Sequence, residues 1–307
     1  MINNKEQQEK EVKRWWNYPR NLRWDTFYDE SNLDRHHVIE RQKKTLERVD
    51  ALNLPNGAKI LELGYGGGQT ARALLERGYE VHGIDVSDQL CQKANDRCIE
   101  YVKSKKAYIK VGSIEEKYEY KDNFFDAVIV CGALQYLNDI DICIQEVHRV
   151  LKPNSHFIVC QTNMYAIKDM VYPRRLLLRL MYAITGQKTE LFPSFRSIML
   201  DNDSFGKSFK KYETFFLKYK FLSNGDEKLN FLFKKRLNSY WRLKKNLMNN
   251  KFIITHKIGA TFFFPPDNIF NKLVSMLNSV LQFISDYILR FIFVFADNVI
   301  ITARKIK

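Results

Sequence analysis

Residues 59–70 read KILELGYGGGQT, a run of strand-forming residues entering a loop that carries four glycines. A tight turn needs one or two glycines, so four mean that the backbone comes unusually close to another body. In an open sheet of parallel strands, ligands sit at the carboxyl ends of the strands, and the loop after the first strand is the natural place for one.

Outward from this stretch the chain alternates between strands and helices. "QTARALLERG" predicts a short helix ended by Gly78 and "YEVHGIDVS" the next strand, followed by a helix through "DQLCQKANDRCIEYVKS". "AYIKVGS" and "FFDAVIVCGAL" predict a third and a fourth strand. A helix through "DICIQEVHRVL" stops at Lys152-Pro153-Asn154, and "SHFIVCQT" makes a fifth strand. Near-continuous apolar strands alternating with helices specify a doubly wound, mostly parallel α/β sheet with helices on both faces.

Residues 1–53 read as a helical cap, in which Val38, Leu46, Val49 and Leu52 share one apolar side. After Thr162 the alternation stops for about ninety residues, too long for a connecting loop. It resumes with "KFIITHKIG" and closes on "NVIITARK". The expected organisation is a cap over 1–53, a core over 54–162, a basic, aromatic-rich helical insertion over 163–250, and two last core strands with an intervening helix over 251–307.

The glycine loop fits Glu62-x-Gly64-x-Gly66-x-Gly68. It is not the dinucleotide fingerprint, because position 69 is glutamine, nor a P-loop, because no Gly-Lys-Ser/Thr follows. Asp85 ends the second strand 21 residues after Gly64, where a carboxylate can accept both hydroxyls of a ribose. Strand, loop, helix and acid at this spacing together point to a nucleoside-containing ligand.

On these residues the chain resembles the class I S-adenosylmethionine-dependent methyltransferases. "LELGYGGG" and "VHGIDVS" are similar to their first two motifs, and "VGSIEE" to the third. "FFDAVIVCGALQYLND" and "EVHRVLKPNSHFIV" are similar to the motifs around their fourth and fifth strands. The resemblance is close over residues 45–162 and loose over the last two strands. It implies a seven-stranded sheet, S-adenosyl-L-methionine as cofactor, and methyl transfer as the activity. It also implies roles for residues. Gly64, Tyr65, Gly66 and Gly68 would approach the methionine part of the cofactor. Glu62 would order that loop or reach the ammonium through water. Asp85 would hold the ribose, with Val86 against the adenine, Ser113 and Ile114 at its edge, and Cys131 and Gly132 on the floor near the sulfonium. Tyr65 is bulkier than the usual small residue, and Asn154-Ser155 stands where a double glycine is common.

Composition narrows the setting. The amino terminus, "MINNKEQQEKEVKRWW", is charged and has no apolar core of a signal peptide, which predicts a cytoplasmic protein. Five cysteines show neither CxxC pairing nor zinc-type spacing, so the expectation is reduced thiols and no metal. Of the net charge of +14, nearly all falls between Pro173 and Lys251, with eighteen Lys and Arg against six Asp and Glu. That segment is built to face something anionic or to be well solvated.

Methyl transfer from a sulfonium depends chiefly on holding nucleophile, methyl and sulfur in line, so a base is optional. Of His36, His37, His148, His156 and His256, His148 lies in a helix and His156 in a strand, and the resemblance implies that the amino-terminal helix covers the cofactor, which makes His37 the candidate base. Cys131-Gly132-Ala133-Leu134 stands where enzymes of this fold that methylate amino groups of bases carry Asp/Asn-Pro-Pro-aromatic. The acceptor expected is therefore a small molecule or a lipid-linked metabolite, methylated on oxygen or nitrogen. An RNA methyltransferase and a non-catalytic cofactor-binding scaffold stay open as alternatives.

"YPRRLLLRLMYAITG" sets arginines beside a dense apolar run, as suits a peripheral contact with an anionic membrane. In the later helix, over 269–294, polar residues at Asn271, Lys272, Ser275, Asn278, Ser279, Gln282, Ser285, Asp286 and Arg290 draw a narrow stripe along an apolar cylinder. A spanning helix would strand the last β-strand across the bilayer from its sheet. The helix therefore either packs on the domain or lies in the membrane interface with its apolar face in lipid.

Overall fold

The computed structural model describes residues 5–19, 22, 28, 36–163, 166, 198–200, 214–222, 228–236, 239–262, 271–288 and 290–306. Two helices open the chain, α1 (Lys5–Trp16) and α2 (His36–Asp50). The core follows as β1 (Lys59–Leu63), α3 (Gln69–Glu76), β2 (Glu80–Asp85), α4 (Asp88–Arg97), α5 (Ile99–Lys103), β3 (Ala107–Val111), β4 (Phe125–Cys131), α6 (Ile140–Val150) and β5 (Leu151–Thr162). After the insertion come β9 (Phe252–Ala260), a helical stretch, and β10 (Asn298–Lys305).

The seven strands lie in the order β3-β2-β1-β4-β5-β10-β9, with β10 antiparallel to both its neighbours. β1 and β4 are buried on both faces because helices cover both sides, and period two divides their side chains between two cores. Leu61, Leu63, Val128 and Val130 join one cluster, with α6 residues Ile144 and Val147. Ile60, Ala127 and Ile129 join the other, with Val49 of α2 and Leu74 of α3. The apolar side expected of the cap is the one α2 uses, since Val38, Leu46 and Val49 are buried.

Local details differ from the sequence reading. The helix after β2 is two helices that meet at Cys98, a fully buried residue. β5 begins at Leu151, straight after α6, and Asn154 takes a left-handed conformation within it (φ 65°). Asparagine tolerates that region, which is why it can stand where glycine is common. All five cysteines are free, and four are buried.

The described residues of the insertion include strands beside the expected helix. They hold one helix, α7 (Tyr240–Asn249), and an antiparallel sheet of β6 (Ile198–Leu200), β7 (Thr214–Leu222) and β8 (Lys228–Arg236). The reason is legible in "TFFLKYKFL" and "KLNFLFKKR", which are rich in aromatic and apolar residues and lack a helical period. β8 lies against α1 and the turn at Leu134–Tyr136. "YPRRLLLRLMYAITG" lies outside the described residues.

The late apolar stretch forms α8 (Asn271–Phe283), a π turn (Ile284–Ile288) and a 3-10 turn (Arg290–Phe295). Four residues of the stripe face the protein, with Asn278 and Ser285 buried and Gln282 and Asp286 half-buried, while Ser279 is exposed together with Met276, Leu277, Val280, Phe283, Tyr287, Ile288 and Phe291. Among the described residues no helix is long and apolar enough to cross a membrane.

Candidate functional site

The carboxyl ends of β1, β2 and β4 open into a cavity of about 330 Å3. β1 lies between β2 and β4, where the strand order reverses, and loops diverge there to leave a crevice. The glycine loop, residues 64–68, forms one wall. Gly66 has φ 56°, and a Cβ built on it would meet no atom within 4 Å, because that direction is the open cavity. Gly68 does different work. It caps α3 at φ 81°, and its Cβ would lie 2.9 Å from the Cβ of Ala94, so it sets how closely α3 packs on α4.

Asp85, at the end of β2, is 8% exposed and lines the cavity. Its Oδ2 accepts from the Gly66 amide at 2.9 Å and its Oδ1 from the Ser87 amide at 2.9 Å. The carboxylate is thereby clamped to the glycine loop, and each oxygen keeps a further lone pair for a ligand hydroxyl. Burial raises its pKa, while the amides of Ser87, Gly66 and Val86 pull it back.

Gly112, Ser113, Ile114 and Glu115, beyond β3, continue the wall. Glu115 is held by the amides of Asn138 and Asp139 at 2.9 and 2.7 Å, which ties this loop to the one after β4. α1 closes the top with Gln8, Glu9, Val12 and Trp16. It is fastened there by Gln8 Nε2 donating to Tyr136 O (2.9 Å), Lys5 Nζ donating to Glu115 O (2.7 Å) and Lys13 paired with Asp88 (2.9 Å).

Cys131, Gly132 and Ala133 line the cavity beyond β4. A Cβ on Gly132 would lie 3.1 Å from Nη1 of Arg41, a buried residue of α2 that also lines the cavity. A hydrogen bond from Cys160 holds the Cys131 thiol below its ordinary range; burial opposes this, and the Arg41 guanidinium and Thr45 hydroxyl add to it. The cavity continues over Thr162, at the end of β5, and Asp297 and Asn298, where β10 starts. Antiparallel pairing sets Asn298 opposite Thr162, bringing the start of β10 to the same end of the sheet.

Of the residues singled out in the sequence, Gly64, Gly66, Asp85, Val86, Ser113, Ile114, Cys131 and Gly132 meet in this one cavity. Three do not line it. Tyr65 turns into the core, where its ring packs on Gly83 and its hydroxyl donates to Cys91 Sγ and Lys110 O. Gly68 serves helix packing. Glu62 is buried beneath the loop, and its Oε2 has no hydrogen-bond partner. His37 lies in α2, and its side chain is outside the described residues. The lid over the cavity is α1, whereas α2 contributes Arg41. Gln8, Trp16, Arg41, Gln135, Tyr136, Asp297 and Asn298 escaped the sequence reading. Gln135 and Tyr136 lie within the fourth-strand motif but were not singled out there, and the others come from distant segments without a motif that only folding assembles.

This sheet order, with a glycine loop clamped to an acid at the end of β2, defines the class I methyltransferase fold. Residues 61–159 match the family model described as "Methyltransferase domain", and the chain carries a class I S-adenosylmethionine-dependent methyltransferase domain. It is 33% identical over 130 residues to a putative methyltransferase of Bacillus subtilis, a match covering 41% of this chain and 49% of that protein. It is 32% identical over 127 residues to a ubiquinone biosynthesis O-methyltransferase of Alkalilimnicola ehrlichii, covering 39% and 51%. The chain thus spans about half the length of these curated relatives. Among solved structures, magnesium protoporphyrin IX methyltransferase from Synechocystis superposes with a TM-score of 0.57 at 15% identity, covering 97% of this chain and 99% of that one. At that identity the likeness is one of fold.

The residues present fit the cofactor of this class. The space above Gly66 is open to a group that a side chain would displace, and the clamped Asp85 suits a ribose diol. The unpartnered Glu62 oxygen suits a cation reached through water. Among the described residues no cluster of metal-ligating side chains occurs.

Proposed function

We propose that the protein transfers a methyl group from S-adenosyl-L-methionine to oxygen or nitrogen of a small-molecule or lipid-linked acceptor. The observation that carries this reading is the single cavity in which Gly64, Gly66, Asp85, Ser113, Ile114, Cys131 and Gly132 meet, although they come from four separate strand ends. When bound, the sulfonium supplies an activated methyl and a good leaving group. Asp85 holds the ribose, Val86, Ser113 and Ile114 receive the adenine, and the loop at Gly64 and Gly66 receives the methionine end. Residues 54–162 form the cofactor-binding core, residues 1–53 the cap, and residues 163–250 an acceptor-binding insertion. α1 excludes water from above, which strengthens every polar contact beneath it.

The acceptor belongs over β4, β5 and β10. β10 lies three strands from β1 in the sheet, about 14 Å at the usual strand spacing. That distance leaves room beside a nucleoside for a second molecule, bordered by Arg41, Gln135, Thr162, Asp297 and Asn298. No histidine lines the cavity among the described residues. In this reading the carboxylate of Asp297 and the guanidinium of Arg41 orient the acceptor, and proximity supplies most of the rate.

The relatives named as ubiquinone biosynthesis O-methyltransferases support a small apolar acceptor, and the basic insertion supports presentation of that acceptor at an anionic membrane. Turnover tests this: demethylated cofactor should accumulate with a lipid extract and not with RNA or small polar metabolites. Turnover on RNA alone would replace the reading by that of an RNA methyltransferase, and cofactor binding without any turnover by that of a scaffold.

A further inference from the structure

The helical stretch before β10 is inside out. Asn278, Gln282 and Asp286 dock on the protein: the Phe262 amide donates to Asn278 Oδ1 at 3.0 Å, and Gln282 Nε2 donates to Gly259 O at 2.8 Å. Asp286 accepts from Gln282 and from Lys44 of α2, at 2.9 and 3.1 Å. Asn278 is 6% exposed and Ser285 3%, against 57% for Phe283, 72% for Tyr287 and 63% for Phe291. The 3-10 turn is fixed just as firmly, because a Cβ on Gly259 of β9 would lie 2.5 Å from the Cβ of Ala296 and 3.2 Å from backbone of Phe293. The apolar side therefore cannot roll inward without breaking these bonds. Exposed apolar surface held outward by polar anchors marks an interaction site.

We propose that this side docks on an anionic lipid bilayer, which deepens the reading of a lipid-linked acceptor and rests on it only for what the membrane delivers. Charge identifies the occupant. α7 packs beneath the 3-10 turn: the buried Tyr240 ring stands 4.8 Å from the buried Phe293 ring and 5.8 Å from that of exposed Trp241, and the Lys257 ammonium lies over both buried rings at 5.3 and 5.2 Å. The α7 sequence, YWRLKKNLMN, has three cations and no acid; Lys244, Lys245 and Trp241 are exposed. Apolar and aromatic side chains beside cations suit the headgroup boundary of an anionic leaflet. A second copy suits the surface less well, because a twofold contact would bring the cations of one α7 towards those of its mate.

The surface also leads to the cavity. Asp297, on the cavity wall, lies two residues from Phe295 and six from Phe291, so at most about 7 and 21 Å away. A lipid-borne acceptor would pass from the bilayer to the β10 side of the cavity over this short path.

Sedimentation with vesicles tests the docking. The full chain should sediment with phosphatidylcholine vesicles containing phosphatidylglycerol, weakly with phosphatidylcholine alone, and less as salt is raised. Joint replacement of Phe283, Tyr287 and Phe291 by serine should cut the bound fraction at least about tenfold without changing the melting temperature. Should that variant aggregate, Lys244→Glu with Lys245→Glu decides, by lowering binding to the anionic vesicles and not the residual binding to neutral ones. Wild-type protein that stays in the supernatant, or variants that sediment like it, overturn the proposal. So does a wild-type dimer that the serine variant dissolves while vesicles bind neither protein. S-adenosylhomocysteine affinity, measured on the same samples, keeps the two readings apart: its loss with sedimentation intact would count against the cofactor site alone.

Discussion

Asp85 and Glu62 are two buried carboxylates with opposite supports. Asp85 accepts amide hydrogen bonds at both oxygens, so its charge is held ready for a ligand at the cavity wall. Asp85→Ala should weaken S-adenosylmethionine binding by about 2 to 4 kcal/mol, through loss of two charge-assisted hydrogen bonds to ribose. Calorimetry checks this, and unchanged affinity would remove the residue from the site. Glu62 has one unpartnered oxygen, and burial, then Cys131 and Asp85, push its pKa well up. A raised folded-state pKa means the group favours folding while protonated, and that contribution is lost as pH rises through the folded value. Glu62→Gln should therefore raise the melting temperature of the ligand-free protein at neutral pH, with the gain vanishing as pH falls into the ordinary carboxylate range. The same change should weaken cofactor binding if the carboxylate serves the cofactor's ammonium. A Tm difference that is flat with pH would show that Glu62 is ionised at no cost.

At the scale of elements, the loop joining β1 to α3 carries glycines of two kinds that look alike in the sequence. Gly66 faces open space and Gly68 faces α4. Gly66→Val should abolish cofactor binding by filling the cavity, with a fold cost of about 1 to 2 kcal/mol for a left-handed valine. Gly68→Val adds overpacking against Ala94 to the same strain and should lower stability by about 2 to 4 kcal/mol. Denaturant unfolding paired with calorimetry separates them, and equal losses in both measurements would mean that the loop acts as one unit. The strand-to-helix pattern was legible because buried strands and amphipathic helices have distinct periods. The lid was not. α1 is short and polar on average, and what gives it a function is the contact of Gln8, Val12 and Trp16 with a cavity made elsewhere.

Across the whole molecule, the sheet carries a gradient of purpose. The side at β3, β2 and β1 presents backbone and a clamped acid, and the side at β5 and β10 presents polar side chains from far apart in the chain. The β10 side is also where the outward apolar helix arrives. Most of the net positive charge lies in the insertion, whose β8 rests against α1 and so reaches the lid. The acceptor side and the membrane surface proposed above would thus both lie at the β10 end of the cavity, while the insertion meets its lid.

The sequence by itself determined the sheet and the cofactor half of the cavity, because strand period, a glycine loop and an acid at a fixed spacing are local properties that the chain carries whatever surrounds it. It also held the polar stripe at Asn278, Gln282, Ser285 and Asp286, but not its direction. Amphipathicity fixes that a helix has two sides, and only partners decide which side turns inward. Here Phe262, Gly259 and Lys44 offered hydrogen bonds, so the polar side turned in and the apolar side was left to the outside. Arg41 and Asp297 belong to the cavity for the same reason: their places depend on contacts between segments far apart in the chain, which no local pattern encodes.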